Sequence, residues 1–134
     1  MSDTPTEPGL SPFERLGGES AVRTLVDRFY DLMDLESAYR ELRAAHGTTL
    51  DDARDKLFWF LCGWLGGPSY YTDRFGHPRL RARHMPFAIG IRERDQWLAC
   101  MDQAMAETGV EPALHARLNE SFFKTADWMR NRNG

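Results

Sequence analysis

The sequence predicts an all-α domain, and three observations carry that prediction. Apolar residues recur at helical spacing in several separate segments of the chain. β-Branched aliphatics are scarce: three Val and two Ile stand among 134 residues, too few to build a sizeable sheet. Gly and Pro fall between the periodic segments, where a helix has to stop. The length suits one compact domain and argues against two.

Residues 1–11 carry two of the seven prolines and read as a loosely docked or disordered tail, with the domain spanning 12–134. Pro12 opens a short helical turn, PFERL, closed by Gly17-Gly18. From Glu19 to about Met33, Val22, Leu25, Val26, Phe29, Tyr30 and Met33 share one helical face. The stretch 34–49 reads as one or two short turns, with Leu42 and Ala45 facing inward. Thr48-Thr49, followed three residues later by Asp51-Asp52, offers two overlapping capping boxes. The helix they start carries Leu50, Ala53, Leu57, Phe60, Leu61 and Trp64 on one side, and Gly66-Gly67-Pro68 ends it. Residues 68–90 read as a long loop, a kind that is usually functional inside a compact domain. Helix resumes near Ile91 with Trp97, Leu98, Met101, Ala104 and Met105 inward, and ends near Gly109. Pro112 opens the last helix, whose inner stripe is Leu114, Leu118, Phe122, Thr125 and Met129.

Composition removes several function classes. A formal net charge of −3 disfavours a surface that wraps nucleic acid. No run approaches the roughly 18 consecutive apolar residues of a membrane span. The polar, acidic start MSDTPTEPGLSP lacks the apolar centre of a secretory signal, so a cytoplasmic location is expected. Cys62 and Cys100 stand apart in helical patterns and read as buried thiols.

A few residues are suited to chemistry. His84 ends the segment RLRARH; it is either a hydrogen-bonded core histidine or a ligand for iron, a metal that imidazole binds well. Arg74, Arg79, Arg81 and Arg83 form a solvated basic loop, a phosphate or RNA contact interleaved with Tyr70, Tyr71 and Phe75, or a clamp for a carboxylate-bearing ligand. Tyr30 and Trp97 are polar-tipped aromatics on inner helix faces. They are either core filling or two donors aimed at a ligand with partial negative charge. No Cys-x-x-Cys-His occurs, which excludes covalent c-type haem attachment.

Together these residues resemble the truncated haemoglobins, specifically group II (the O-type), from about Phe13 to Trp128. The motifs are Phe29-Tyr30, Gly66-Gly67-Pro68, the string YTDRFGHPRLRARHMPF from Tyr71 to Phe87, and RDQWL from Arg94 to Leu98. The resemblance implies a globin-like two-over-two α-helical sandwich around a non-covalent b-type haem (iron protoporphyrin IX). It makes His84 the proximal iron ligand through Nε2, and Tyr30 and Trp97 the distal donors. Counting back from Gly66-Gly67 adds His46 to the distal set. A connection longer than in the shorter members sets Tyr39 as its alternative. Ala53 falls where many globins carry a distal histidine, and Leu57 follows one turn later. Phe60 resembles the aromatic that shields the haem edge, while Lys56, Tyr71 and Arg83 resemble the groups that hold the propionates. Phe87, Leu98 and Met101 complete an apolar slot.

The implied activity is reversible binding of dioxygen and other diatomic ligands, CO and NO among them, with oxygen transport as the family role. A haem-dependent peroxidase or nitric-oxide dioxygenase is the alternative. Either enzyme needs an external reductase, because the chain carries no reductase domain. The other expected partners are peroxide as a small ligand and a second copy of the chain, with neither nucleic acid nor membrane among them.

Overall fold

The computed structural model describes residues 10–79 and 90–129. Seven α-helices are described: α1 Pro12–Leu16, α2 Glu19–Leu35, α3 Arg40–Ala44, α4 Asp51–Trp64, α5 Tyr70–Phe75, α6 Ile91–Glu107 and α7 Pro112–Trp128. A 3-10 turn, Ser37–Tyr39, leads into α3. Among the described residues there is no strand, and no helix is long and apolar enough to cross a membrane.

The core is built around α2. Val22, Leu25, Val26, Phe29, Leu32 and Met33 are at most 1% exposed, so this helix is covered along its length. It packs against α4 on one side and α6 on the other, while α6 pairs with α7. From α6 come Cys100, Met101, Ala104 and Met105, each fully buried; from α7 come Leu114, Leu118, Phe122 and Ala126. Ion pairs fasten the same seams from outside: Arg54 reaches Asp27 and Asp31 on α2, and Arg28 reaches Glu107 on α6.

Caps mark most of the boundaries that the sequence suggests. Ser11 accepts from Glu14 N–H at 3.2 Å while Glu14 accepts from Ser11 N–H at 3.0 Å, a complete capping box. Ser11, expected in the tail, is therefore the cap of α1; residues 1–9 of that tail lie outside the described residues. Glu111 caps α7 by accepting from Ala113 and Leu114 N–H.

Four expectations change. The Thr48/Thr49 capping boxes do not form: Leu50 is the N-cap, and Thr49 Oγ1 instead accepts from Asp51 N–H at 3.1 Å, a tighter local turn. Residues 70–75, expected as loop, form α5, because Tyr70 and Tyr71 find aromatic partners on α4. On α7 the buried stripe passes through Ala126, leaving Thr125 and Met129 half-buried. Ala45 likewise is only half-buried, since α3 has already ended.

The end of α4 also positions the N-terminal turn. Gly67 N–H closes onto Cys62 O at 2.7 Å, with Gly66 at φ +99, a conformation that favours glycine. Phe13 N–H donates to Leu65 O, and its ring lies directly over Gly67. A Cβ on Gly67 would stand 2.6 Å from that ring. Gly67→Ala is therefore expected to destabilise the fold by about 1–3 kcal/mol through overpacking. A drop in the denaturant midpoint checks this, and Phe13→Ala should reduce the penalty.

Candidate functional site

Phe29 and Tyr30 are consecutive on the inner face of α2, so the packing of α2 on α6 buries both rings. Phe29 meets Tyr30 edge-on at 4.9 Å between centroids and Trp97 of α6 at 5.2 Å. One fully buried ring thus holds two polar-tipped aromatics at a single place. Among the described residues, neither the Tyr30 hydroxyl nor the Trp97 indole N–H has a hydrogen-bond partner. Burial raises the Tyr30 pKa above its ordinary value, and the Arg54 charge opposes that shift more weakly. The phenol therefore stays neutral and keeps its proton to donate. Buried donors are normally paired, so the Tyr30 hydroxyl, left without a partner beside the half-buried Trp97 indole, points toward a ligand.

The other described tyrosines with similar environments differ in this respect. Tyr39 is 7% exposed, and its hydroxyl donates to Gln103 Oε1 at 2.5 Å. Tyr70 donates to Glu19 at 2.5 Å. Of Tyr39 and His46, the two alternatives for the distal set, His46 is the one whose ring packs edge-on to Tyr30, at 5.9 Å. His46 Nδ1 lies 2.9 Å from Leu42 O. A carbonyl only accepts, so Nδ1 carries the proton, and in the neutral ring Nε2 is an acceptor. His46, expected as a donor toward the ligand, takes that part through Nε2 only in its protonated form.

Two faces of α4 separate here. Phe58, Leu61 and Cys62 are buried in the core, whereas Ala53, Leu57, Phe60 and Trp64 are half-buried along another face. Rings continue from this face to α6: Trp97 meets Phe122 at 5.3 Å, and Phe122 stacks on Trp64 at 5.0 Å. Trp64 then stacks on Phe60, and Phe60 meets Tyr71 edge-on at 6.2 Å. Leu98 is half-buried as well, but Met101, expected in the slot, is fully buried in the α2–α6 core. At the far edge Tyr71 packs on Phe75 at 4.8 Å, and the Lys56 ammonium stands 5.8 Å over the same ring. Lys56 also pairs with Asp52 at 3.0 Å, an exposed i,i+4 contact worth little and easily exchanged. Arg83, His84 and Phe87, with Arg81, lie outside the described residues. Among the described residues no three His, Cys, Asp or Glu side chains gather as a metal site.

The comparisons with known proteins agree with this geometry. A family of bacterial-like globins matches residues 11–131. This chain belongs to that family. The Group 2 truncated hemoglobin YjbI of Bacillus subtilis (strain 168) is 37% identical over 122 residues, covering 91% of this chain and 89% of its own length. Among solved structures, a Group II 2-on-2 Hemoglobin from the plant pathogen Agrobacterium tumefaciens superposes with a TM-score of 0.90 at 37% identity, covering 94% of this chain and 98% of that one. A truncated haemoglobin from Bacillus subtilis gives a TM-score of 0.84 at 37% identity, covering 91% of this chain and 100% of that one. The fold is thus the two-over-two sandwich of the truncated globins.

Globins bind haem, and the described residues of this globin fit such a group. The half-buried aromatic and aliphatic faces of α4 and α6 suit a flat apolar molecule, and two unpartnered donors stand at one end of them. Sequence reasoning missed two residues here. Arg54, one residue after Ala53, donates to Asp27 O and Asp31 Oδ1, the latter at 2.7 Å, and lies 5.8 Å from the Tyr30 ring. Its signal was present in Asp27 and Asp31, spaced i,i+4 around Tyr30. Gln96 is the second, masked by its more conspicuous neighbour Trp97.

The thiols lie on the core side of the site. Cys100 Sγ–H donates to Phe29 O at 3.2 Å, and burial pushes its thiol up to about 12 from 9.0. Burial, reinforced by Glu19 and opposed by Arg23, pushes Cys62 up to about 11. Both pKa values are raised on folding, so this stabilisation is complete below pH 9.0 and is lost as pH rises toward about 11–12. The denaturant midpoint is expected to fall over that window, less steeply in Cys100→Ala; an equal slope in both proteins would contradict it. At about pH 8 the native thiols should resist iodoacetamide, whereas the unfolded chain alkylates.

Proposed function

We propose that this globin holds b-type haem against α4 and α6 and binds dioxygen reversibly, with His84 as the proximal ligand and Tyr30 and Trp97 as distal donors. The buried Tyr30 hydroxyl and the half-buried Trp97 indole, both without hydrogen-bond partners among the described residues and both packed on Phe29, are the observation that carries this reading. A relative described as a truncated oxygen-avid haemoglobin from Bacillus subtilis supports it. When bound, haem supplies an iron that takes a diatomic ligand and lends it negative charge.

The chain's own residues do the rest. The neutral Tyr30 phenol donates a hydrogen bond to the ligand from α2, and the Trp97 indole donates from α6. Charge on the acceptor makes such bonds stronger than neutral ones. Ala53 leaves the α4 side of the pocket open, and Leu57 narrows it one turn later. Phe60 and Trp64 exclude water from the apolar faces. Lys56, Tyr71 and Arg83 would hold the carboxylates of the group. The same reading keeps the protein cytoplasmic and leaves its reduction to a separate electron donor.

Absorbance spectra test the assignment. The purified ferrous protein is expected to show a Soret band that shifts with CO, and His84→Ala to lose the haem-bound spectrum. An unchanged spectrum in that variant would remove His84 as the iron ligand. Tyr30→Phe and Trp97→Phe are each expected to speed dioxygen dissociation about tenfold or more, the effect of one hydrogen bond to a charged acceptor. Stopped-flow displacement by CO reads this, and unaltered rates would leave both rings as core filling.

A further inference from the structure

We propose that Gln96 is a positioning residue for the distal pocket: its side-chain amide fastens α3 to α6 and thereby fixes the His46 imidazole beside Tyr30. This inference rests on the reading of the Tyr30 pocket as the ligand site.

A five-residue helix such as α3 does not hold itself, because so few hydrogen bonds cannot offset the cost of nucleation. Its first-turn N–H groups also need acceptors, and Tyr39 at its N-cap supplies none from its side chain. Gln96 supplies one from another helix: Leu42 N–H donates to Gln96 Oε1 at 2.9 Å. The amide's other end donates to Glu41 Oε1 at 2.6 Å. One side chain thus grips two consecutive residues of α3. Leu42 also passes the constraint onward, since its carbonyl accepts from His46 Nδ1 at 2.9 Å. The path from α6 to the imidazole is therefore Gln96, the Leu42 backbone and His46, whose ring meets Tyr30 at 5.9 Å.

Because Gln96 precedes Trp97, one turn of α6 both carries a distal donor and places the distal histidine. Gln103, two turns later, grips the same segment through Tyr39 but makes no bond to Leu42. It is the natural control.

The test reads His46 itself by long-range proton–nitrogen NMR at about pH 8, in the ferrous CO-bound protein. The unsubstituted protein is expected to hold its His46 proton on Nδ1 and to show a through-hydrogen-bond coupling between Leu42 N and the Gln96 side-chain carbonyl. In Gln96→Met the Nδ1 proton should exchange with solvent at least tenfold faster, whereas Gln103→Met should keep the original tautomer. The change that Gln96→Met makes in dioxygen dissociation should vanish in a His46→Leu background. A missing coupling in the unsubstituted protein overturns the proposal without any variant having to fold. So does an unaltered His46 proton in Gln96→Met, or a Gln96→Met effect that persists in full without His46. A protein that takes up no haem defeats the functional reading alone, since the His46 tautomer is then read on the colourless protein.

Discussion

The seam between α2 and α6 is the contact on which the rest of the molecule depends. Phe29 sits in it with no exposed surface, and its backbone carbonyl receives the Cys100 thiol from the opposing helix. Its ring separates Tyr30 from Trp97 and touches both. The positions of the Tyr30 and Trp97 rings are therefore a packing consequence of one buried phenylalanine. Interiors are packed too densely for that ring to shift alone, so the two donors move together or not at all.

Around this seam the polar groups are divided into those that are spent and those that are not. Tyr39 and Tyr70 give their hydroxyls to Gln103 and Glu19 and act as struts between elements. Arg54 is spent on Asp27 and Asp31, which stand on either side of Tyr30 in the sequence, and so clamps α4 to α2 at the height of the phenol. Tyr30 and Trp97, alone among these, have no partner within the described residues. Leaving the buried Tyr30 hydroxyl unpaired costs on the order of 1–3 kcal/mol.

Much of this was legible from residue patterns. The stripe from Val22 to Met33 appears in full as the buried face of α2, because apolar spacing and burial are the same constraint seen twice. The Gly66-Gly67-Pro68 stop was legible for a comparable reason, since backbone chemistry at a helix end is local. The face of α4 was only partly legible. Periodicity grouped Leu61 with Leu57 and Phe60, yet Leu61 belongs to the core and the other two to a half-buried wall. Helical spacing distinguishes apolar from polar faces, but it does not separate an apolar face that meets protein from one that meets a cofactor. The α5 turn was missed because its stability comes from rings on α4 rather than from its own sequence.

By itself the sequence determined the longer helical segments, where they stop, most of their apolar faces, and which family motifs the chain carries. Those properties follow from near neighbours: side chains three or four residues apart, caps, and the backbone limits of Gly and Pro. Tertiary structure alone decided that His46 rather than Tyr39 stands against Tyr30. It also decided that Gln96 bonds α3 and that Arg54 bonds Asp27 and Asp31 beside Tyr30. These depend on contacts between residues far apart in the chain: ring packing for His46 on Tyr30, hydrogen bonds for Gln96 and Arg54. A polar side chain on a helix surface carries no local mark of the partner that folding brings to it.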